Sequence, residues 1–406
     1  MQKVDIAIVG AGLNGLVAGV ALASTKGLTV AIIDQSDPAQ FATPNHDSRT
    51  SALTLATQTM LKGLGLWQAI ESHAQTVKDI IVTDSDDASA RPSLLSFALD
   101  AGGKPAVSMV ENFRLFASIL EKAKTIPTLS FHLGQKLADI KFGPGLATVT
   151  LADGTALKAT LVIGADGRNS PTREAAGLKL EGWAHPQSAI TLTVAHELPH
   201  AGRAEEHFTS SGVFAILPLP DNRSSIVWSE SHERAQSLNC LSEAEFLIEL
   251  GKKFGNHLGA LKVEGPKHLY PLSTKLANHM IATRLALIGD AAHVVHPLAG
   301  LGLNLGFKDA AALVDCVCDA VNLGQDIGGA AVLERYATWR RFDTVSSAYM
   351  LDGLNRLFSN DHAGLKLLRD TGLKLVDHSA SLKSFFIKEA AGTSGQVPRL
   401  MRGLAA

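Results

Sequence analysis

The chain has 406 residues, 46% of them apolar and 19% charged, with a net charge of -2. This composition suits a folded chain of two closely joined units, and it excludes a disordered chain or the basic face a nucleic-acid partner requires. Three cysteines, Cys240, Cys316 and Cys318, exclude a disulfide framework and fit a reducing, cytoplasmic setting.

In chain order, Val4–Val9 reads as a buried strand, Gly10–Gly15 as a turn and Leu16–Ser24 as a helix. The apolar run from Val4 to Ala23 also resembles a signal peptide or membrane span, but that reading leaves its three spaced glycines unexplained. Leu28–Ile33 is a second strand ending at Asp34, which makes the opening of a βαβ unit. Pro38–Ser51 is a polar loop, and Ser51–His73 is expected to be helical with a break at Gly63–Gly65. Ser85–Pro92 reads as a surface turn, Asn112–Lys124 as an amphipathic helix, and Ala147–Lys158 as a hairpin turning at Asp153-Gly154. Leu161–Gly164 is a short buried strand.

From Trp183 to Pro271 the period changes to two, with alternation in Ala189–Val194, Val213–Leu217 and Ser225–Trp228, and one helix near Ser242–Phe254. Leu285–Gly289 returns to the nucleotide unit, and Gly302–Asn322 and the region beyond Leu333 are helical. The fold class is therefore α/β: a Rossmann-like dinucleotide fold with an inserted, mostly antiparallel sheet and a C-terminal helical region. Its expected units are residues 1–75, 105–182 and 276–345 for the nucleotide, 76–104 and 183–275 for the sheet, and 346–406 for the helical region.

Three motifs carry chemistry. Gly10-Ala11-Gly12-Leu13-Asn14-Gly15 follows a strand and opens a helix. In such a turn the first glycine bends the chain, the second lets backbone approach a pyrophosphate, and the third lets helix and strand pack closely. Asp34 then stands where it can accept hydrogen bonds from ribose hydroxyls. Asp166-Gly167 ends the next strand, with Ser170 and Arg173 behind it, and can set a carboxylate and a cation beside a cofactor.

The third motif is the most specific. Gly289-Asp290 ends a strand and is followed by His293, His296-Pro297 and a glycine-rich turn, Gly300-Leu301-Gly302-Leu303-Asn304, that feeds a helix. Asp290 can hydrogen-bond a polyhydroxyl chain such as ribitol, Pro297 fixes the backbone near a flat ring, and the helix N-terminus favours an anion ahead of it. Two such sites far apart in one chain point to one long dinucleotide held at both ends, read as FAD. His293 and His296 are read chiefly as structural hydrogen-bonding groups; Pro297 and the glycines argue against a helical metal pair, and no residue is assigned as a catalytic base.

With these residues in view, the chain resembles the class A flavoprotein monooxygenases of the para-hydroxybenzoate hydroxylase fold, and within them the polyprenyl-phenol hydroxylases of ubiquinone biosynthesis. The resemblance rests on HPLAGLGLNLGFKD (296–309), DSRTSAL (47–53), LPLPDNRSSIVWS (217–229) and DGLNRLFSND (352–361). It implies that Arg49 lies over the flavin and that Asp290 binds the ribityl chain. Leu301 stands where glutamine is common in the family, so only its backbone carries over. Phe113 stands where an arginine is common; Arg114 follows, either as an FAD ligand or as an exposed helix arginine.

The resemblance also implies the reaction. NAD(P)H reduces FAD, dioxygen adds to form a flavin hydroperoxide, and an electron-rich, lipophilic phenol is hydroxylated. No second Rossmann motif is present for NAD(P)H, so that donor visits transiently. Two other readings stay open: a flavin oxidoreductase on another aromatic or lipophilic substrate, and a non-catalytic FAD-binding scaffold. From Lys366 to Arg402 seven basic residues face three acids, interleaved with Leu382, Phe385, Phe386, Ile387, Leu400 and Met401. That tail suits either peripheral contact with the inner face of a membrane or packing on the body, on a second copy or within a biosynthetic complex.

Overall fold

A computed structural model describes residues 2–25, 27–44, 49–84, 93–297, 300, 302–358, 384 and 387–405. Nine helices are used below: α1 (Leu13–Ser24), α2 (Leu55–Gly63), α3 (Trp67–Glu71), α4 (Asn112–Lys124), α5 (Pro171–Ala175), α6 (His232–Cys240), α7 (Glu243–Phe254), α8 (Gly302–Asn322) and α9 (Ala330–Phe358).

The first sheet sets strands Leu285–Leu287, Ala156–Gly164, Gln2–Val9, Val30–Asp34 and Leu129–Leu133 side by side, all in parallel. Parallel strands covered on both faces need continuous apolar runs, and IAIV (6–9), VAII (30–33) and LVI (161–163) are buried almost completely. α1 is apolar all round, and it packs tightly because a Cβ on Gly19 would approach the Ile32 side chain at 2.6 Å. The segment 4–23 is therefore a strand, a turn and a helix; the membrane-span reading fails because the chain reverses at Gly10. Among the described residues no helix is long and apolar enough to cross a membrane.

The second sheet runs in the order His293–Val294, Leu261–Ala277, Leu180–His196, Arg223–Ser231, Gly212–Leu219, Arg203–Thr209, Asp79–Asp84, Ser93–Ala98. All its pairings are antiparallel except that of Arg203–Thr209 with Asp79–Asp84. Alternation gives it two working faces. Ile190, Leu192, Phe214, Ile216, Ile226 and Trp228 form a core with Phe246, Leu250 and Phe254 of α7. Ala189, Thr191, Val213, Ala215 and Val227 look the other way, into a cavity. α7 begins at a capping box, in which Ser242 and Glu245 cap each other's backbone N–H groups.

The middle section holds two helices, α6 and α7, where one is expected near Ser242–Phe254. Thr50–Thr54 is a strand, not the start of a helix, because it pairs antiparallel with Val107–Glu111 in a small third sheet. The β-branched Thr50 and Thr54 suit that pairing, and α2 begins only at Leu55, capped by Thr54. The turn expected at 85–92 lies outside the described residues. The division into units cuts through continuous elements: Leu180–His196, Leu261–Ala277 and α9 each span one of its boundaries.

Candidate functional site: a cavity between two sheets

The three glycines of the first motif have separate jobs. Gly10 adopts φ +111°, and a Cβ there would collide with the Ala165 carbonyl of the second motif. A Cβ on Gly15 would collide with the Gly10 carbonyl. Gly12 is the N-cap of α1, and a Cβ there would meet nothing within 4 Å, so its backbone faces open space. That opening at a helix N-terminus is what a pyrophosphate needs. Asp34 closes the turn: its Oδ2 accepts the Ala11 N–H at 2.6 Å and its Oδ1 the Ser36 N–H at 2.8 Å.

Asp166 turns out to be inward-looking. Its carboxylate accepts the Ser170 hydroxyl and, at 2.9 Å, the Thr172 N–H, so it organises the start of α5. Burial raises its pKa, against those hydrogen bonds. Ala165, Gly167 (φ +80°) and Arg168 line the cavity instead. Arg173, expected as a cation beside the ligand, is buried and donates to the Ala291 and Arg168 carbonyls at 3.1 and 3.0 Å. It is a strut between the second and third motifs. Sequence offered no sign of that, nor of the role of Arg168.

In the third motif, Gly289 lies at φ +58° and Asp290 opens on the cavity. The cavity walls desolvate the Asp290 carboxyl and push its pKa up, while His293, Arg168 and Arg49 pull it down. Pro297, Gly300, Gly302 and Leu303 also line the cavity, bringing the N-terminus of α8 to its edge. Leu301 lies outside the described residues. Asn304 is close by, but its side chain is a brace. Its Oδ1 accepts the Thr54 N–H (3.0 Å) and the Thr57 hydroxyl (2.8 Å), and its Nδ2 donates to the Ala52 carbonyl (2.7 Å). Arg49 lines the cavity and its carbonyl accepts the Asn112 N–H. On α4, Asn112 and Phe116 line it too, whereas Arg114 lies 4.7 Å over the Phe113 ring.

The cavity has a volume of about 730 Å³, a size proper to a large organic ligand. It runs from these backbone groups to an apolar end walled by Val82, Leu95, Phe208 and Val213 of the sheet and by Leu351 and Leu354 of α9. Trp183 and Gln187 fix α9 there, through bonds to Asp352 (2.9 Å) and Asn355 (3.1 Å). Between the two ends stands His296, edge-on to His185 at 5.2 Å. Burial, and then His185, lower its pKa to about 4, so its ring is neutral at neutral pH. His293 is buried against Asp309 at 2.5 Å.

Two glycine turns that follow parallel strands and reach one cavity suit a dinucleotide cofactor. The FAD binding domain family matches residues 3–342, and the chain belongs to that family. Ubiquinone hydroxylase UbiL of Rhodospirillum rubrum is 40% identical over 403 residues, covering 98% of this chain and 93% of that protein. The 3-demethoxyubiquinol 3-hydroxylase of Escherichia coli is 32% identical over 393 residues, covering 96% and 99%. The crystal structure of p-nitrophenol 4-monooxygenase from Pseudomonas putida superposes with a TM-score of 0.81 at 18% identity, over 98% of this chain and all of that one, and so shares the fold.

Proposed function

We propose that this chain is an FAD-dependent monooxygenase that hydroxylates the aromatic ring of a polyprenylated phenol in ubiquinone biosynthesis. The observation that carries the reading is the continuous cavity, whose backbone-lined end suits a flavin and whose apolar end suits a prenyl tail. The two ubiquinone-pathway relatives match along nearly the whole chain.

In this reading Gly12, Leu13 and Asn14 face the pyrophosphate and Asp34 the adenosine ribose. Asp290 takes the ribityl hydroxyls, and Gly300, Gly302 and Leu303 present the α8 N-terminus to the pyrimidine edge. Arg49 and Gly167 border the ring. Asp166, Asn304 and Gly289 serve by shaping these loops. Bound FAD supplies electron transfer from a nicotinamide donor and activation of dioxygen. The protein orients the phenol against the ring, excludes water with Val213, Ala215 and Val227, and stabilises developing negative charge with the α8 dipole. NAD(P)H is the donor and visits transiently.

Leu400 and Met401 are buried on the body, and Arg399 binds Asp315 and Asp319 at 3.2 and 2.8 Å. Peripheral membrane contact therefore falls to the earlier part of the tail, whose residues 366–383 lie outside those described. The test is to profile quinone intermediates in cells lacking the protein. A prenylated phenol short of one ring oxygen is expected to accumulate; an unchanged quinone profile contradicts the reading.

A further inference from the structure

The Gly289–His293 turn is held from behind by Asp309, Arg340 and Arg173, none of which lines the cavity. Behind it, on α8, lies Asp309, which is fully buried. Its Oδ2 accepts the Gly289 N–H at 3.0 Å and bonds His293 Nε2 at 2.5 Å. Its Oδ1 accepts Arg340 Nε at 2.8 Å, and Arg340, on α9, is itself fully buried. Arg340 donates in turn to Asp343 at 2.7 Å. In front of the turn sits the Asn14 side chain of the first motif. A Cβ on Gly289, or on Gly306 of α8, would run into the Asn14 amide, so Asn14 is wedged between the turn and the helix. The Ala291 carbonyl is held by Arg173. Asp290 is the residue of this turn that lines the cavity.

A buried ion pair is a poor way to gain stability, because desolvating both ions offsets most of their attraction, and apolar side chains of similar size serve as well or better. What such a pair does supply is a fixed geometry. Here the geometry is that of one backbone N–H, in a left-handed residue, immediately before the carboxylate that faces the ligand.

We infer that Asp309 and Arg340 are positioning residues for FAD: they preset the Gly289 turn so that Asp290 meets the ribityl half of the cofactor without reorganisation. Asn14 completes the arrangement by tying the turn to the pyrophosphate loop. This rests on the FAD reading above, and it confines the effect to one half of the ligand. The adenosine half is met by Gly12 and Asp34, which the pair does not touch.

The test is calorimetric titration of the apoprotein with FAD and, separately, with ADP, for wild type, Arg340→Met, Arg340→Lys and Asp343→Asn. Arg340→Met is expected to weaken FAD by about tenfold or more, the usual cost of removing an outer group that orients a ligand contact. ADP binding should stay within about twofold of wild type, and Arg340→Lys should recover part of the FAD affinity, since it restores the charge. If Arg340→Met does not fold, Asp343→Asn carries the test, because Asp343 is only partly buried; about threefold weaker FAD with ADP unchanged is expected. Unchanged FAD affinity, or equal loss for FAD and ADP, overturns the positioning role. A wild-type protein that binds ADP but not FAD overturns instead the reading on which it rests.

Discussion

The cavity's two ends are built from different materials. At the cofactor end the wall is backbone: Gly12, Gly167, Gly300 and Gly302 bring peptide groups to the surface, and side chains such as Asn304, Asp166 and Arg173 work behind it. At the other end the wall is side chain: Val82, Phe208, Val213, Ala215 and Val227 from one sheet face, closed by Leu351 and Leu354 of α9. A backbone wall recognises a fixed polar shape and tolerates no added atoms. A side-chain wall recognises volume and apolar area, and it can be retuned one methyl group at a time.

The contrast breaks most sharply at Gly289. Gly289→Val puts a β-branched residue at φ +58° and drives its side chain into the Asn14 amide. Strain of about 1–3 kcal/mol plus that collision should weaken FAD by roughly 100-fold or more, read as loss of flavin fluorescence quenching on titration. A variant that still binds FAD like wild type would mean the turn does not shape the site.

The opposite end is probed by Ala215→Trp. Ala215 is buried and lines the cavity, so an indole there takes the space proposed for a prenyl segment. Each methylene kept out of the cavity costs about 0.8 kcal/mol. KM should rise by roughly tenfold or more for a long-chain phenol and little for a short-chain one, with FAD affinity intact. Equal effects on both substrates would place the tail elsewhere.

Asp290→Asn sharpens the boundary between the ends. It keeps the shape but removes a charge-assisted hydrogen bond, so FAD should weaken by about tenfold with no change in chain-length preference.

These differences mirror what the sequence made legible. The parallel strands and the Gly10–Gly15 turn follow from local pattern, since a strand, a glycine turn and a helix are specified within some twenty residues. The alternation in Ala189–Val194 and Val213–Leu217 likewise announced a two-faced sheet. Side-chain roles in the loops were not legible, because they depend on partners far along the chain. Asn304 is captured by Thr54 and Thr57, about 250 residues earlier, and Asp309 by Arg340 on another helix. Thr50–Thr54 is a strand for the same reason: its partner, Val107–Glu111, was not visible in local composition.

The smallest effect lies away from the cavity. Glu205 is held between His207 (3.0 Å) and His257 (2.9 Å) on the far face of the sheet. Burial pushes its carboxyl up, but the two histidine hydrogen bonds more than offset that and hold its pKa at about 2, against an ordinary 4.5. A carboxylate depressed in this way stabilises the fold above pH 4.5, and the contribution fades as pH falls from there towards 2. Glu205→Gln should lower Tm at neutral pH by about 2 °C and flatten its acid dependence in that window, with FAD binding unchanged. An identical acid profile would show that the pair contributes nothing.

In the proposed reaction FAD lies at the backbone end of the cavity and a prenylated phenol at its apolar end. The direct measurement is mass spectrometry of the product after the FAD-loaded protein, NAD(P)H and a prenylated phenol react under isotopically labelled dioxygen. The account predicts a ring-hydroxylated phenol carrying one labelled oxygen atom. NAD(P)H oxidation that yields only hydrogen peroxide, or a product whose new oxygen is unlabelled, would contradict it.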